Sequence, residues 1–226
     1  MNNNSRILYG GFLLELYRRL SAGKIVEVRG SKTVEIINAT ESFDATEDGL
    51  INIKDIFVTS KEYIDKEMEW YLSQNPNVSE IKKHAKIWEG VSDENDMANS
   101  NYGFLVFSPQ NGNQFKNVVK ELKKDPHSRR ACIYYTNPMM HYVGGNDHVC
   151  TVYVSYSVRD GKLSSCVSMR SNDVRFGLIG ADLAWQIYVL RAICKETGYE
   201  PGNVNWHSAS LHIYERHFKG LRDIFE

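Results

Sequence analysis

Cys150-Thr-Val-Tyr-Val-Ser-Tyr-Ser-Val158, then Arg159-Asp160-Gly161-Lys162 and on to Arg170-Ser-Asn-Asp-Val174, is the stretch that decides how this chain folds. Its first half is rich in β-branched and aromatic residues. Asp160-Gly161 is the kind of two-residue turn that closes a hairpin, because both residues tolerate positive φ. With Arg159 facing Lys162, counting outward brings Cys150 opposite Ser171, one residue from Arg170. Val152, Val154, Tyr156 and Val158 then share one face, with Ser155 and Ser157 on the other. A fixed positive charge beside a thiol lowers its pKa and raises the thiolate fraction. A guanidinium with a neighbouring hydroxyl also suits phosphate oxygens. The hairpin therefore predicts a nucleophile and an anion grip side by side.

Elements on either side of the hairpin extend the sheet and cover it. Thr33-Val-Glu-Ile-Ile37 reads as a strand, Lys61 to Leu72 as a helix capped by Ser60, and Asn113 to Lys124 as a further helix. Arg130 to Tyr135 supplies another β-rich run. Ala181 to Thr197 is a strongly apolar helix stopped by Gly198. A last strand, Val204 to Ser210, leads into a C-terminal helix from His212 to Ile224. The expected class is α+β, a mixed sheet packed by helices on at least one side. No repeat, low-complexity block or linker interrupts the chain, so residues 1–226 are read as one domain.

At 226 residues, 42% hydrophobic and 12% aromatic, the chain can bury a large core without disulfides or metals. Lys and Arg number 27 against 28 Asp and Glu, so no global pull toward nucleic acid or anionic membrane is expected. Any phosphate must be met locally. Ile7 to Leu20 lacks a charged leader and cleavage site and fits an amphipathic helix. No segment is expected to span a bilayer. Cys132, Cys150, Cys166 and Cys194 have no metal-type spacing, so a reduced, cytoplasmic setting with three inert core cysteines and no metal is expected.

Several further runs carry a resemblance. Asp125-Pro-His-Ser-Arg-Arg130, Cys150 about twenty residues on, Arg170-Ser-Asn-Asp-Val174 and Ser210-Leu-His-Ile-Tyr214 resemble the thymidylate synthases in order and spacing. Upstream, Glu67-Met-Glu-Trp-Tyr71 resembles the family's glutamate-bearing helix. Ile87-Trp88 and Asn99-Ser-Asn-Tyr-Gly103 resemble its folate-side segment. The likeness runs from about Val28 to Phe218. Two departures, Val149-Cys150-Thr151 around the nucleophile and Asp182 where the family presents Asn to uracil, resemble the bacteriophage deoxycytidylate (dCMP) hydroxymethylases. The chemistry of the base agrees independently. An ionised Asp only accepts hydrogen bonds, whereas Asn both donates and accepts. Cytosine offers its N4 amino group, and N3–H when protonated, while uracil O4 would meet repulsive lone pairs. Such a buried mismatch costs roughly 1–3 kcal/mol.

The resemblance implies a thymidylate synthase-like fold whose sheet face forms a homodimer. It also implies a reaction in which the Cys150 thiolate adds to C6 of dCMP and activates C5 toward 5,10-methylenetetrahydrofolate. Glu67 is implied to organise proton transfer and water, and Asp182 to stabilise protonated cytosine. Arg29, Arg170 and Ser171 are implied to hold the phosphate, together with Arg129 and Arg130 from the neighbouring subunit. His212 and Tyr214 are expected near the sugar, and Trp88 and Asp173 near the folate. Water capture would give the hydroxymethyl product. Reductive methylation of dCMP, hydroxymethylation of CMP, or a catalytically silent nucleotide-binding relative are the alternatives. Val91 stands where a second folate-side Trp is common, and the chain stops at Phe225-Glu226 without a long tail. A pocket less sealed against water, favouring hydroxymethylation, is the expectation. Taken singly, each residue has a plainer role: Cys150 as a small buried hydrophobe, Asp182 as a first-turn acid, Glu67 as an exposed helix face, Arg129 and Arg130 as solvated charge, and His212 as a core histidine. His207 and Cys166 keep that plainer role.

Overall fold

Counting strand partners outward from Asp160-Gly161 gives the pairing of that hairpin as far as Tyr153 opposite Ser168. The computed structural model describes residues 3–46, 59–141 and 147–226. It runs α1 (Asn3–Ser21), β1 (Val26–Val28), β2 (Ser31–Asp44), α2 (Lys61–Leu72), α3 (Ile87–Val91), α4 (Tyr102–Phe107) and α5 (Gln114–Lys124). Then follow β3 (Cys132–Tyr134), β4 (Thr151–Arg159), β5 (Lys162–Met169), β6 (Asn172–Asp173), a π-helical turn (Val174–Leu178), α6 (Ala181–Thr197), β7 (Glu200–Tyr214) and α7 (Phe218–Phe225). Among the described residues the strands form one sheet in the order β1-β2-β7-β5-β4-β3, with β6 also on β7. β7 runs parallel to β5 and β6; the other pairs are antiparallel. Parallel neighbours require a crossover, and the π turn with α6 supplies it.

Asp160 and Gly161 hold φ of 51° and 76°, and Arg159 faces Lys162 as counted. Nearer the open end the register slips by one: Tyr153 faces Ser168, but Thr151 faces Met169. Val152 is the extra residue, and its carbonyl accepts from the Tyr135 N–H at 3.0 Å. This β-bulge puts Cys150 opposite Arg170, whose N–H donates to the Cys150 carbonyl at 3.0 Å, and not opposite Ser171. Val154, Tyr156 and Val158 do share the buried face, while Val152 leaves it.

α2 and α6 span the residues their patterns predict. The Ser60 hydroxyl accepts from the Tyr63 N–H at 3.2 Å, and Gly198 closes α6 at φ 82° with its N–H on the Cys194 carbonyl. Roughly 1.5–3 kcal/mol for each fully buried aliphatic side chain lets Leu183, Val189, Leu190 and Ile193, all at 0% exposure, seat α6 on the sheet. The strands outrun their prediction. Val34 pairs with Ile213 in the core, so β2 and β7 stay in register along nearly their full length. His212 is therefore a strand residue, and the last helix begins at Phe218 instead.

Two further expectations change. Val174–Thr197 is long and apolar enough to cross a membrane, yet 72% of its 18-residue apolar stretch is buried within the fold, as in the core helix of a packed domain. Of the cysteines, Cys194 is buried, but Cys132 is half-buried and Cys166 exposed. Strand alternation explains this, since Val167 faces the helices and Cys166 the open face. Around Cys166 that face is small-chained, with Ser155, Ser157 and Asn205 beside it and with Tyr134 and Tyr153 at one edge.

Candidate active site

The end of the sheet where β4 begins and β5 stops gathers the groups expected to act on a nucleotide. Arg170 is held by two backbone acceptors: its Nε donates to the Val149 carbonyl at 3.0 Å, and its Nη2 donates to the His148 carbonyl and lies 3.7 Å from the Cys150 sulfur. Ser171 follows in the bend before β6. The guanidinium pulls the thiol's pKa down, as expected, with Arg29 adding to it. Burial outweighs both and pushes the thiol up to about 11, helped by the negative charges of Asp182 and Asp147. The influence of arginine that the sequence predicts is present but outweighed, and burial biases the Cys150 thiol toward its neutral form.

Two carboxyl groups face this end from the helices. Glu67, 7% exposed on α2, accepts a hydrogen bond from the Tyr71 hydroxyl at 2.6 Å. A second comes from Tyr63, whose oxygen accepts from Trp88 Nε1 at 3.1 Å. Burial raises Glu67 to about 7, more than those donors lower it. That is the range a proton-transfer residue needs near neutrality. Asp182 opens α6 and keeps part of its surface accessible. Its Oδ2 accepts from Asn172 Nδ2 at 2.8 Å, and Tyr102, which accepts from Thr151 Oγ1 at 3.1 Å, also hydrogen-bonds to it. Burial, then the charge of Glu67, raises Asp182 to about 7 as well. The plainer reading of Glu67 as an exposed helix face is thus excluded.

Asp173 and His212 are partners across the parallel β6–β7 pair. Asp173 Oδ1 caps the π turn, accepting from the Arg175 and Phe176 N–H groups at 2.7 and 2.9 Å. Its Oδ2 is buried without a hydrogen-bond partner. Burial lowers His212, Asp173 opposing it, so the imidazole is biased toward neutral. Its ring stands edge-on to Tyr214, 5.0 Å between centroids, and Tyr214 lies under the Arg216 guanidinium. Arg29 occupies the left-handed turn joining β1 to β2, exposed, yet its charge reaches both Cys150 and Tyr214.

Hydrogen bonds, ring contacts or electrostatic coupling thus link Cys150, Glu67, Asp182, Arg170, Asp173, His212, Tyr214 and Trp88, with Ser171 beside Arg170 and Arg29 at the edge. Arg129 and Arg130 are not part of the group; both are exposed in the loop between α5 and β3. Sequence reading missed Asn172, Tyr102, Tyr63 and Gly177. Asn172 and Tyr102 stand inside quoted motifs, but only the fold brings them to Asp182. An added Cβ on Gly177 would lie 2.3 Å from Asn172 Nδ2 and 2.5 Å from Asp182 Oδ2, so the glycine makes room for that pair.

The orphaned Asp173 Oδ2, the exposed Phe176 ring and buried Trp88 offer an acceptor and apolar faces, which fits a folate. The thymidylate synthase family profile matches residues 14–226. The deoxycytidylate 5-hydroxymethyltransferases of Enterobacteria phages T4 and T2 are each 38% identical over 206 residues, covering 86% of this chain and 80% of theirs. A deoxyuridylate hydroxymethyltransferase of Bacillus phage SP01 is 29% identical over 159 residues, 64% of this chain and 41% of that protein.

Proposed function

Because the chain belongs to the thymidylate synthase family, we propose that it is a deoxycytidylate 5-hydroxymethyltransferase, placing a hydroxymethyl group on C5 of dCMP. The observation that carries this reading is 38% identity across 86% of the chain to enzymes of that name. Asp182 supports cytosine over uracil. A carboxyl near neutrality can accept from N4–H while its proton sits on N3 of the base.

5,10-Methylenetetrahydrofolate, as co-substrate, supplies the one-carbon unit; Asp173 and Trp88 would hold it. Every other task falls to side chains of this protein. Arg170 and Ser171 grip the phosphate, with Arg29 at the rim, and His212 and Tyr214 meet the sugar. Cys150 loses its proton and adds to C6, so that electron density collects at C5. The positive charge of a protonated N3 draws that density, and Asp182 stabilises it. Glu67, poised between its two protonation states, takes and returns protons and orients the water whose oxygen becomes the hydroxyl. With the C5 proton lost and tetrahydrofolate released as the leaving group, re-expulsion of the Cys150 sulfur from C6 restores the aromatic ring. We place the enzyme in the cytoplasm, where its four free cysteines stay reduced. We infer a homodimer through the open sheet face, with Arg129 and Arg130 reaching the partner's phosphate site and residues 1–226 acting as one domain.

A mass spectrum of nucleotides after incubation with methylenetetrahydrofolate and equal dCMP, CMP and dUMP tests the proposal. Hydroxymethyl-dCMP is expected. Methyl-dCMP with dihydrofolate would overturn the water step, and modified dUMP would overturn the role of Asp182. Product from CMP would overturn the sugar assignment. Tight dCMP binding without product would make the chain a silent relative.

A further inference from the structure

Asn172 is 1% exposed, packed against the carboxyl that reads the base, and only half satisfied. Its Nδ2 donates to Asp182 Oδ2 at 2.8 Å, while its Oδ1 is buried without a partner. An ionised carboxylate can only accept, so donation by the Asn172 amide suits ionised Asp182 whichever oxygen carries the charge. An Asp182 that carries its proton on Oδ2 needs an acceptor at the same place. Half a turn of the amide about its Cβ–Cγ bond offers one, since it exchanges oxygen for nitrogen at nearly the same shape. Gly177, lacking a Cβ, leaves the pair the room it occupies.

We propose that Asn172 is a positioning residue that follows the charge of Asp182, donating its amide N–H to the ionised carboxylate and turning its carbonyl to accept from the protonated acid. This deepens, and rests on, the reading of Asp182 as the base-facing carboxyl. When the Asp182 proton passes to N3 of the pyrimidine, the amide swings its N–H group back, and no proton is gained or lost by Asn172. Asp182 thereby keeps its orientation through both protonation states.

Other groups also face Asp182. From α2 come Glu67, whose charge favours the neutral acid, and Tyr71; Asp173 on β6 acts in the same direction as Glu67. Tyr102 on α4 donates and favours the ion, while the Cys150 thiol and the Tyr135 phenol respond to its charge. The tyrosine hydroxyls can also donate or accept; Asn172 differs in carrying its donor and its acceptor on separate atoms that half a turn exchanges.

The test is an NMR titration of the ligand-free protein with aspartate carboxyl carbons and side-chain amide nitrogens labelled, the Asp182 signal assigned by its loss in Asp182→Asn. In the native protein the Asn172 amide resonances should titrate with the Asp182 midpoint. In Asn172→Ala that midpoint should rise by about one pH unit, since a donor to a charged group is lost, and the acid limb of kcat/KM for dCMP should rise with it. Asn172→Ser, which keeps a hydroxyl able to donate or accept, should recover part of the shift. An Asn172 amide that does not titrate, or an unmoved midpoint in a folded variant, overturns the proposal. A moved midpoint together with an unchanged dCMP-over-dUMP preference in Asp182→Asn would uphold the coupling and sink the base-reading role.

Discussion

Replacing Gly177 by alanine should damage base recognition more than it damages the fold. Its new Cβ would sit 2.3 Å from Asn172 Nδ2, 2.5 Å from Asp182 Oδ2 and 3.3 Å from Asn172 Cγ, where ordinary contact begins at 3.4 Å. Both side chains must retreat by about 1 Å. That stretches their 2.8 Å hydrogen bond beyond useful length. Overpacking of this kind costs roughly 1–3 kcal/mol of stability. Losing a hydrogen bond to a charged group costs roughly 1.5–3 kcal/mol where that charge matters. The second figure corresponds to about a 10- to 100-fold fall in kcat/KM for dCMP. Tritium release from C5-labelled dCMP reads the activity and a thermal melt reads the stability. Gly90→Ala is the control, because nothing lies within 4 Å of the added Cβ in the helical α3; it should melt at the same temperature or slightly higher. A Gly177→Ala protein turning over dCMP within twofold of the native rate would refute the close pairing of Asn172 and Asp182.

Other perturbations separate the remaining roles. Asp182→Asn should lower kcat/KM for dCMP by at least tenfold and raise it for dUMP, measured in competition. The same change should alter stability with a definite sign. Asp182 is raised from 3.8 to about 7, so the folded state holds its proton more tightly than the unfolded chain. The stability this gives is complete below pH 3.8 and lost as pH rises through about 7. Asp182→Asn should therefore melt higher than the native protein above pH 7, the difference fading toward pH 4. Tyr71→Phe removes the 2.6 Å donor to Glu67 and should move the Glu67-dependent limb of the pH–rate profile upward; an unmoved profile would dissociate Glu67 from the rate. Cys150→Ser should abolish the covalent complex with 5-fluoro-dCMP and methylenetetrahydrofolate on a denaturing gel while dCMP still binds; a surviving adduct would place the nucleophile elsewhere.

Local signals were legible where one residue decides the geometry. Ser60, Gly198 and Asp160-Gly161 each fix a cap or a turn, and the flanking elements follow. Strand ends were not legible, because β2 and β7 extend each other through pairing that neither sequence announces. Residues of the site could be named through motif order, but their electrostatics could not. Reading Arg170 beside Cys150 gives the direction of one influence; the larger one, burial beneath the helices, depends on how far the chain packs around the thiol. For the same reason Glu67 and Asp182, unremarkable acids in their helices, become carboxyls near neutrality only after folding.

The extra residue at Val152 also decides which side chains a continuous strand would have displayed. Side-chain direction in a strand has a parity of two, so even-numbered Cys150 would otherwise share the inward direction of Val154, Tyr156 and Val158. With the bulge, odd-numbered Val149 and Thr151 take the inward places, at 1% and 0% exposure, and Cys150 retains accessible surface. A one-residue deletion there would exchange the two sets, hiding the sulfur in the core and turning a hydroxyl outward. The hairpin and the chemistry are thus phased independently, and an insertion or deletion that preserves every side chain of the site can still extinguish it by changing that count by one.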